Sequence, residues 1–324
     1  MMKYELFSNF AEDIYNFVEY KNSLGFTYEE STRIMWNFDT FCRSHFSEKH
    51  ELDRVIGFKW LEKKDTESAA GHRNRVMVIR EFAKYLCSLG KPAYMIPISM
   101  TKKPRRYVPH IFTQNEMTAF FNSADHIEPH EKAPVRHLVI PVFFRLLYCC
   151  GLRPAEARLL LVENVDLEYG ILKIIESKGH KDRLVPMEED FTQLMSRYHK
   201  KVSAVFPQCP YFFPRYDGNG AYTKNWTEEM FRRCFDIAGI TEFEGVKPRV
   251  YDFRHTFATN CICRWIREGK NADEMLIYLS AYMGHVMPED TAYYIHLVPD
   301  IFQQTGKADV SSYEALLPEV PYEI

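Results

Sequence analysis

No apolar run in these 324 residues approaches the roughly 20 that span a bilayer, so the chain is not expected to cross a membrane. The opening residues, MMKYELFSNF, lack the basic and apolar regions of a secretory signal, and a cytoplasmic location is expected. Metal-ligand spacing is missing too. Of eight cysteines, Cys149 and Cys150 are adjacent and Cys261 and Cys263 are separated by one residue, so neither pair has the two-residue gap of a zinc knuckle. Several sit in apolar runs, where a free thiol behaves as a small hydrophobe, and neither a structural metal nor a disulfide is expected. Internal repeats and low-complexity tracts are absent.

An overall positive charge is absent as well: the formal net charge is −3. Its distribution is uneven, however. Residues 71–106 hold Arg73, Arg75, Arg80, Lys84, Lys91, Lys102, Lys103, Arg105 and Arg106 against Glu81 alone, which is nine minus one, or +8, and leaves −11 for the rest. Such asymmetry fits a nucleic-acid-facing surface on an otherwise acidic protein, and it also fits a solvated helix face followed by a basic linker. Charge alone does not choose between them.

What is present is an ordinary globular mix, 46% hydrophobic and 26% charged, long enough for two domains with separate cores. The first hundred residues read as four helices. Phe7, Phe10, Ile14, Phe17 and Val18 recur at helical spacing, as do Ile34, Phe38, Phe41 and Cys42, then Val55, Phe58 and Leu61, then Val76, Ile79, Phe82, Ala83 and Leu86 before Gly90 and Pro92. Pro92 to His110 lacks helical periodicity. Thr113 with Glu116 predicts a capping box that opens the second domain. There follow an apolar helix over about His137–Cys150, a hairpin of Ile171–Ile175 and Leu184–Met187 across a turn at residues 178–181, and a helix with Phe231, Cys234, Phe235 and Ala238 on one face. The expected fold class is mainly α with a small β-hairpin or sheet. The expected division is a helical bundle over 1–100, a basic linker over 101–110, a mixed α/β domain over 111–305 and a tail over 306–324.

Four separated pieces carry chemistry: Gly151-Leu152-Arg153-Pro154-Ala155-Glu156; Ser177-Lys178-Gly179-His180-Lys181-Asp182-Arg183; Tyr251-Asp252-Phe253-Arg254-His255-Thr256-Phe257-Ala258-Thr259; and Met283-Gly284-His285, with Tyr294-Ile295-His296 nine residues beyond His285. In this order and spacing they resemble the tyrosine recombinase (phage integrase) family over nearly all of residues 110–300. The N-terminal bundle resembles that family's core-binding domain more loosely.

The resemblance implies a site-specific DNA recombinase that cuts and rejoins strands through a 3′-phosphotyrosine on Tyr294. It places Arg153 and Arg254 on the phosphate. Lys178 would protonate the departing 5′ oxygen, and Lys181 is the nearby alternative, although the family's glycine-flanked lysine aligns with Lys178. His285 would donate to the phosphate, and Glu156 would support Arg153. No metal or other cofactor is implied. Both domains would close on double-stranded DNA as a clamp, with Arg73, Arg75, Arg80, Lys84, Lys102, Lys103, Arg105 and Arg106 as DNA-binding residues. A homotetramer on paired sites is implied, with the tail exchanged between protomers and a helper recombinase or directionality protein as a further partner. Little chain precedes residue 5 for an arm-binding domain, which favours a transposon, integron-like or Xer-type enzyme. One departure is visible: the family usually has His three positions before the second Arg, where this chain has Tyr251. A phenol donates a hydrogen bond but is no cationic donor near neutral pH.

Elementary chemistry supports the same assignment. Cutting a phosphodiester without metal needs a nucleophile, charge on the non-bridging oxygens and a proton for the leaving oxygen. Tyrosine can form the covalent intermediate, though with an ordinary pKa of about 10 it must lose its proton during attack. Arginine offers a permanently charged fork that matches two oxygens. Plainer readings stand beside these. Arg153 and Glu156 have the spacing of a surface helix pair. His255 and His296 read as structural and His180 as a solvated turn residue; residues 288–296 read as a short helix opened by proline and acids, on which Tyr293 faces the core or an adjoining helix. Two other functions share the pattern: a DNA-binding protein of the same fold without strand exchange, and a type IB topoisomerase-like nicking enzyme.

Overall fold

The computed structural model describes residues 4–26, 28–104, 107–175, 182–240, 247–285 and 289–297, the side chains of Glu289 and His296 excepted. The chain divides into two compact units, Met1–Tyr107 and Val108–Ile324. Among the described residues no helix is long and apolar enough to cross a membrane.

The first unit is a bundle of α1 (Ala11–Ser23), α2 (Glu29–His45), α3 (Arg54–Leu61) and α4 (Ala69–Ser88). The side chains of Asp53 and Ser68 cap α3 and α4 by accepting from the N–H groups of Ile56 and Gly71. The predicted apolar stripes of α1, α2 and α4 meet in one core, apart from exposed Phe7, whereas α3 presents Ile56 and Trp60 in place of the expected Val55 and Phe58. Phe17 packs on Phe82 and the Trp60 ring stands edge-on to Phe38, 5.1 Å between centroids. The segment after α4, read as irregular, contains a 3-10 turn at Ile98–Met100. Arg73 donates to the Ile98 carbonyl and the Thr101 hydroxyl, and Arg80 to the Ile96 carbonyl at 2.8 Å, so two of the expected DNA-binding arginines are half-buried braces of this segment.

Arg75 requires a correction. Expected on the DNA-facing surface, it is buried, and its fork grips both oxygens of Glu67 at 2.8 and 2.9 Å. It also donates to the carbonyls of Trp60 and Glu62, and its guanidinium lies 4.7 Å from the Trp60 ring centroid. A charge count along the chain does not see which way an arginine points. Arg75→Ala should strand the Glu67 carboxylate and two carbonyls and cost about 3 kcal/mol. Calorimetry should show the N-terminal unit melting several degrees lower, and an unchanged melt would return Arg75 to the surface set.

The second unit builds its core on phenylalanine. Its helices are α5 (Gln114–Asp125), α6 (Arg136–Cys150), α7 (Pro154–Arg158), α8 (Glu189–Val205), α9 (Lys224–Ile237), α10 (Asp252–Arg267), α11 (Ala272–Met283) and the short α12 (Glu289–Ala292). The capping box at Thr113 and Glu116 is formed, with reciprocal bonds between each side chain and the other's backbone N–H. β1 (Val165–Asp166), β2 (Ile171–Ile174) and β3 (Arg183–Pro186) make an antiparallel sheet in chain order, with Ile171 opposite Pro186 and Ile174 opposite Arg183. Helix α10 lies between two apolar clusters. Phe253 enters the larger one beside Phe112, Phe120 and Phe231, while Ala258 and Ile262 join Met283, Tyr294 and Leu297 in the smaller. This double packing fixes the helix that carries Arg254. The eight cysteines are free thiols.

Candidate active site

The site gathers on the C-terminal end of α11, where backbone carbonyls have no helical partner. Gly284 takes the left-handed conformation there (φ +64°), and the N–H groups of Gly284 and His285 turn back to the carbonyls of Ala281 and Ser280. The next three carbonyls each accept from an arginine. Tyr282 O receives Arg183 Nε at 2.8 Å, Met283 O receives Arg254 Nη2 at 2.6 Å, and Gly284 O receives Arg153 Nη2 at 2.7 Å. All five carbonyls from Ser280 to Gly284 are thereby used, and three guanidinium groups converge on the negative end of a helix dipole.

Arg254 is 1% exposed. Its Nη1 donates to Gly151 O at 2.7 Å, tying α10 to the turn before α7. Gly151 is left-handed (φ +57°), and a Cβ there would collide with the Phe257 ring, so this carbonyl is presented by a residue that only glycine fits. Arg254 Nε is buried without a hydrogen-bond partner among the described residues. Burial depresses the Arg254 pKa, and the neighbouring Arg153 charge adds to that. Arg153 precedes α7. Its backbone N–H and its Nη1 donate to the two oxygens of Glu156 at 2.9 and 2.7 Å. Glu156 is no exposed partner: its side chain is 6% exposed and both oxygens also receive Arg183, at 3.0 and 2.8 Å. Burial works to raise the Glu156 pKa, but Arg183 and Arg153 hold it below the ordinary value.

His285 follows directly. Its Nδ1 lies 2.6 Å from the hydroxyl of Thr291, on α12, and its ring is stacked 6.1 Å from that of Tyr294. Tyr294 is 3% exposed, and the His255 ring covers it from another direction at 5.6 Å. Burial raises the Tyr294 pKa, with Arg254 and Arg153 opposing the rise. Tyr251, at the N-terminus of α10 and 36% exposed, lies 5.2 Å ring to ring from His255. Tyr294 stands not on an α-helix, as its sequence context reads, but in a 3-10 turn, Tyr293–Leu297, that follows α12.

Of the residues singled out in sequence, Arg153, Glu156, Tyr251, Arg254, His285 and Tyr294 come together, with His255 packed among them. Lys178, with His180 and Lys181, lies outside the described residues, as do Arg105, Arg106, the side chain of His296 and the tail. Lys102 and Lys103 are exposed, and exposed Lys84 pairs with Glu81 at 2.7 Å. Two participants were missed. Arg183 closes the second motif, and a lone arginine opening a strand that continues into Leu184 and Val185 was the available signal. Thr291 gave none, because one threonine in a polar turn is unremarkable until its burial is seen.

The phage integrase family matches residues 110–300. The chain belongs to the phage integrase family. It is a site-specific DNA recombinase of the tyrosine type. A Sinorhizobium fredii protein provisionally named integrase/recombinase y4rB is 26% identical over 305 residues, 92% of this chain and 96% of that one. Tyrosine recombinase XerD of Listeria innocua is 22% identical over 288 residues, 86% of this chain and 87% of that one. Two solved structures share the recombinase's fold. XerH site-specific recombinase bound to palindromic difH substrate has a TM-score of 0.62 at 18% identity, covering 85% of this chain and 78% of that one. The Tn1549 transposon integrase with circular intermediate DNA has 0.63 at 14%, covering 87% and 94%.

Two of the twelve histidines, His255 and His285, make the recombinase's stability pH-dependent. Burial, reinforced by nearby arginines, pushes His285 down to about 3 and His255 down to about 4. Both folded values lie below the ordinary 6.5, so as pH falls the unfolded chain takes up protons first. The histidine contribution is complete above about pH 6.5 and is lost as pH falls towards 4. The melting temperature should therefore drop between about pH 7.5 and about pH 5, and the double variant His255→Gln/His285→Gln should flatten that drop. Equal slopes in both proteins would exclude these residues as the cause.

Proposed function

We propose that this recombinase cuts DNA by attack of Tyr294 Oη on a backbone phosphorus. The Oη–P bond forms as the P–O5′ bond breaks, leaving a 3′-phosphotyrosine and a 5′ hydroxyl. Attack by the 5′ hydroxyl of another strand reverses the chemistry and completes exchange. The phenol gives up its proton to solvent water during attack, and Lys178, in the segment between β2 and β3, supplies one to the leaving oxygen. Arg153 and Arg254 neutralise the two non-bridging oxygens of the pentacoordinate transition state. His285 acts as a neutral donor: with the Thr291 hydroxyl donating to Nδ1, its Nε2 keeps the hydrogen for the phosphate. Tyr251 supplies the further donor that its position and exposure favour.

The observation that carries this reading is Arg254 Nε, a buried donor beside Tyr294 whose two sister nitrogens are spent on backbone carbonyls. A phosphate oxygen supplies the partner that such a group needs. Backbone contacts from the N-terminal bundle fall first to Lys102 and Lys103, which are exposed, then to Lys84, Arg73 and Arg80. Exchange between two duplexes calls for four protomers on paired sites.

A nicked suicide duplex tests the chemistry, because the cut fragment diffuses away and traps the adduct. A covalent complex should accumulate even in excess EDTA, since the transition-state charge is met by fixed arginines. Loss of the adduct in EDTA and its return with Mg²⁺ would overturn this mechanism. A two-site recombination assay then separates strand exchange from simple nicking.

A further inference from the structure

Three arginines, not two, end on the last carbonyls of α11, and the proposed chemistry uses only Arg153 and Arg254. The geometry points to Arg183 as a positioning residue for strand cleavage, one that acts through Arg153; this rests on the phosphate-binding role proposed for Arg153.

Arg153 has two side-chain anchors, Glu156 Oε1 and Gly284 O. Arg183 binds the first and braces the helix end that carries the second. Its fork takes the two Glu156 oxygens at 3.0 and 2.8 Å, which removes the carboxylate's freedom to rotate away from Arg153. Its Nε holds Tyr282 O, two residues before the carbonyl that receives Arg153. Its chain also lies against Gly284, where a Cβ would come within 3.1 Å of Arg183 Cδ and Nη1. Arg183 itself is the first residue of β3 and its side chain is 7% exposed, so all three of its donor nitrogens face protein groups rather than an open phosphate site. The arrangement is a relay of fixed positions: sheet to Arg183, Arg183 to Glu156 and the α11 end, and these to Arg153. A guanidinium misplaced by about 1 Å can cost on the order of a hundredfold in rate.

The test measures single-turnover adduct formation on the suicide duplex for wild type, Arg153→Ala, Arg183→Gln and Arg183→Lys, with melting temperatures for each. Arg183→Gln should be slower than wild type by about tenfold to a hundredfold. Arg183→Lys, which keeps a charge for Glu156 but not the fork, should lie between them and serves if the glutamine variant does not fold. The same proteins are then given the two methylphosphonate isomers at the scissile position, in which a neutral methyl replaces one charged oxygen. In the isomer that restores Arg153→Ala, the charge that Arg153 neutralises is gone, and the Arg183 defect should disappear with it. A merely structural role would leave the defect the same on phosphate and on methylphosphonate, and that outcome overturns the inference. So does a wild-type rate for both Arg183 variants on the phosphate. Failure of wild type itself to form an adduct would instead overturn the proposed function.

Discussion

Tyr294→Phe should bind DNA with wild-type affinity and form no covalent complex. Only one atom is removed, and it is the atom that must bond to phosphorus. Tyr293 is the near competitor. In the 3-10 turn that holds both, neighbouring side chains diverge by about 120°, so one turn cannot aim two phenols at a single phosphate. Tyr294 is the one enclosed by His255 and His285, and Arg254 and Arg153 act on its oxygen. Tyr293→Phe should therefore still yield the adduct. Tryptic mapping of the trapped complex by mass spectrometry decides the matter: a nucleotide on Tyr293, or on neither tyrosine, sinks the assignment.

Arg254→Lys should lose at least about a hundred- to a thousandfold in cleavage rate, the range for removing a preorganised donor from a transition state. Charge is retained in this variant, so the loss measures geometry. One ammonium cannot span Gly151 O and Met283 O and also present a third donor, as the guanidinium does. Some stability should be lost too, because two buried carbonyls lose a shared partner, each such orphan costing about 1–3 kcal/mol. Measuring cleavage well below the variant's melting temperature separates the two effects. A near-normal rate in a folded Arg254→Lys protein would mean that the residue braces the turn before α7 and does not touch the phosphate.

Much of this protein can be read before any folding is considered. Repeating apolar residues mark the helices, because an amphipathic stripe has the period of the helix that buries it, and Phe17, Phe38 and Phe82 sit where that period puts them. The capping box at Thr113 and Glu116 is equally local, since its bonds join residues three apart. The four motifs, through the family resemblance that their order and spacing carry, single out Arg153, Arg254, His285 and Tyr294 as the set proposed for catalysis. Tertiary structure alone decided the rest, where a side chain's role depends on a partner far along the chain. Arg75 and Lys102 look alike as charges in a basic segment, yet one is buried on Glu67 and Trp60 and the other is exposed. Arg183 reaches Tyr282 across 99 positions and Arg153 reaches Gly284 across 131. A helix end with unfilled carbonyls is a local fact, but which arginines fill them is settled only when the sheet, α7 and α10 pack against it.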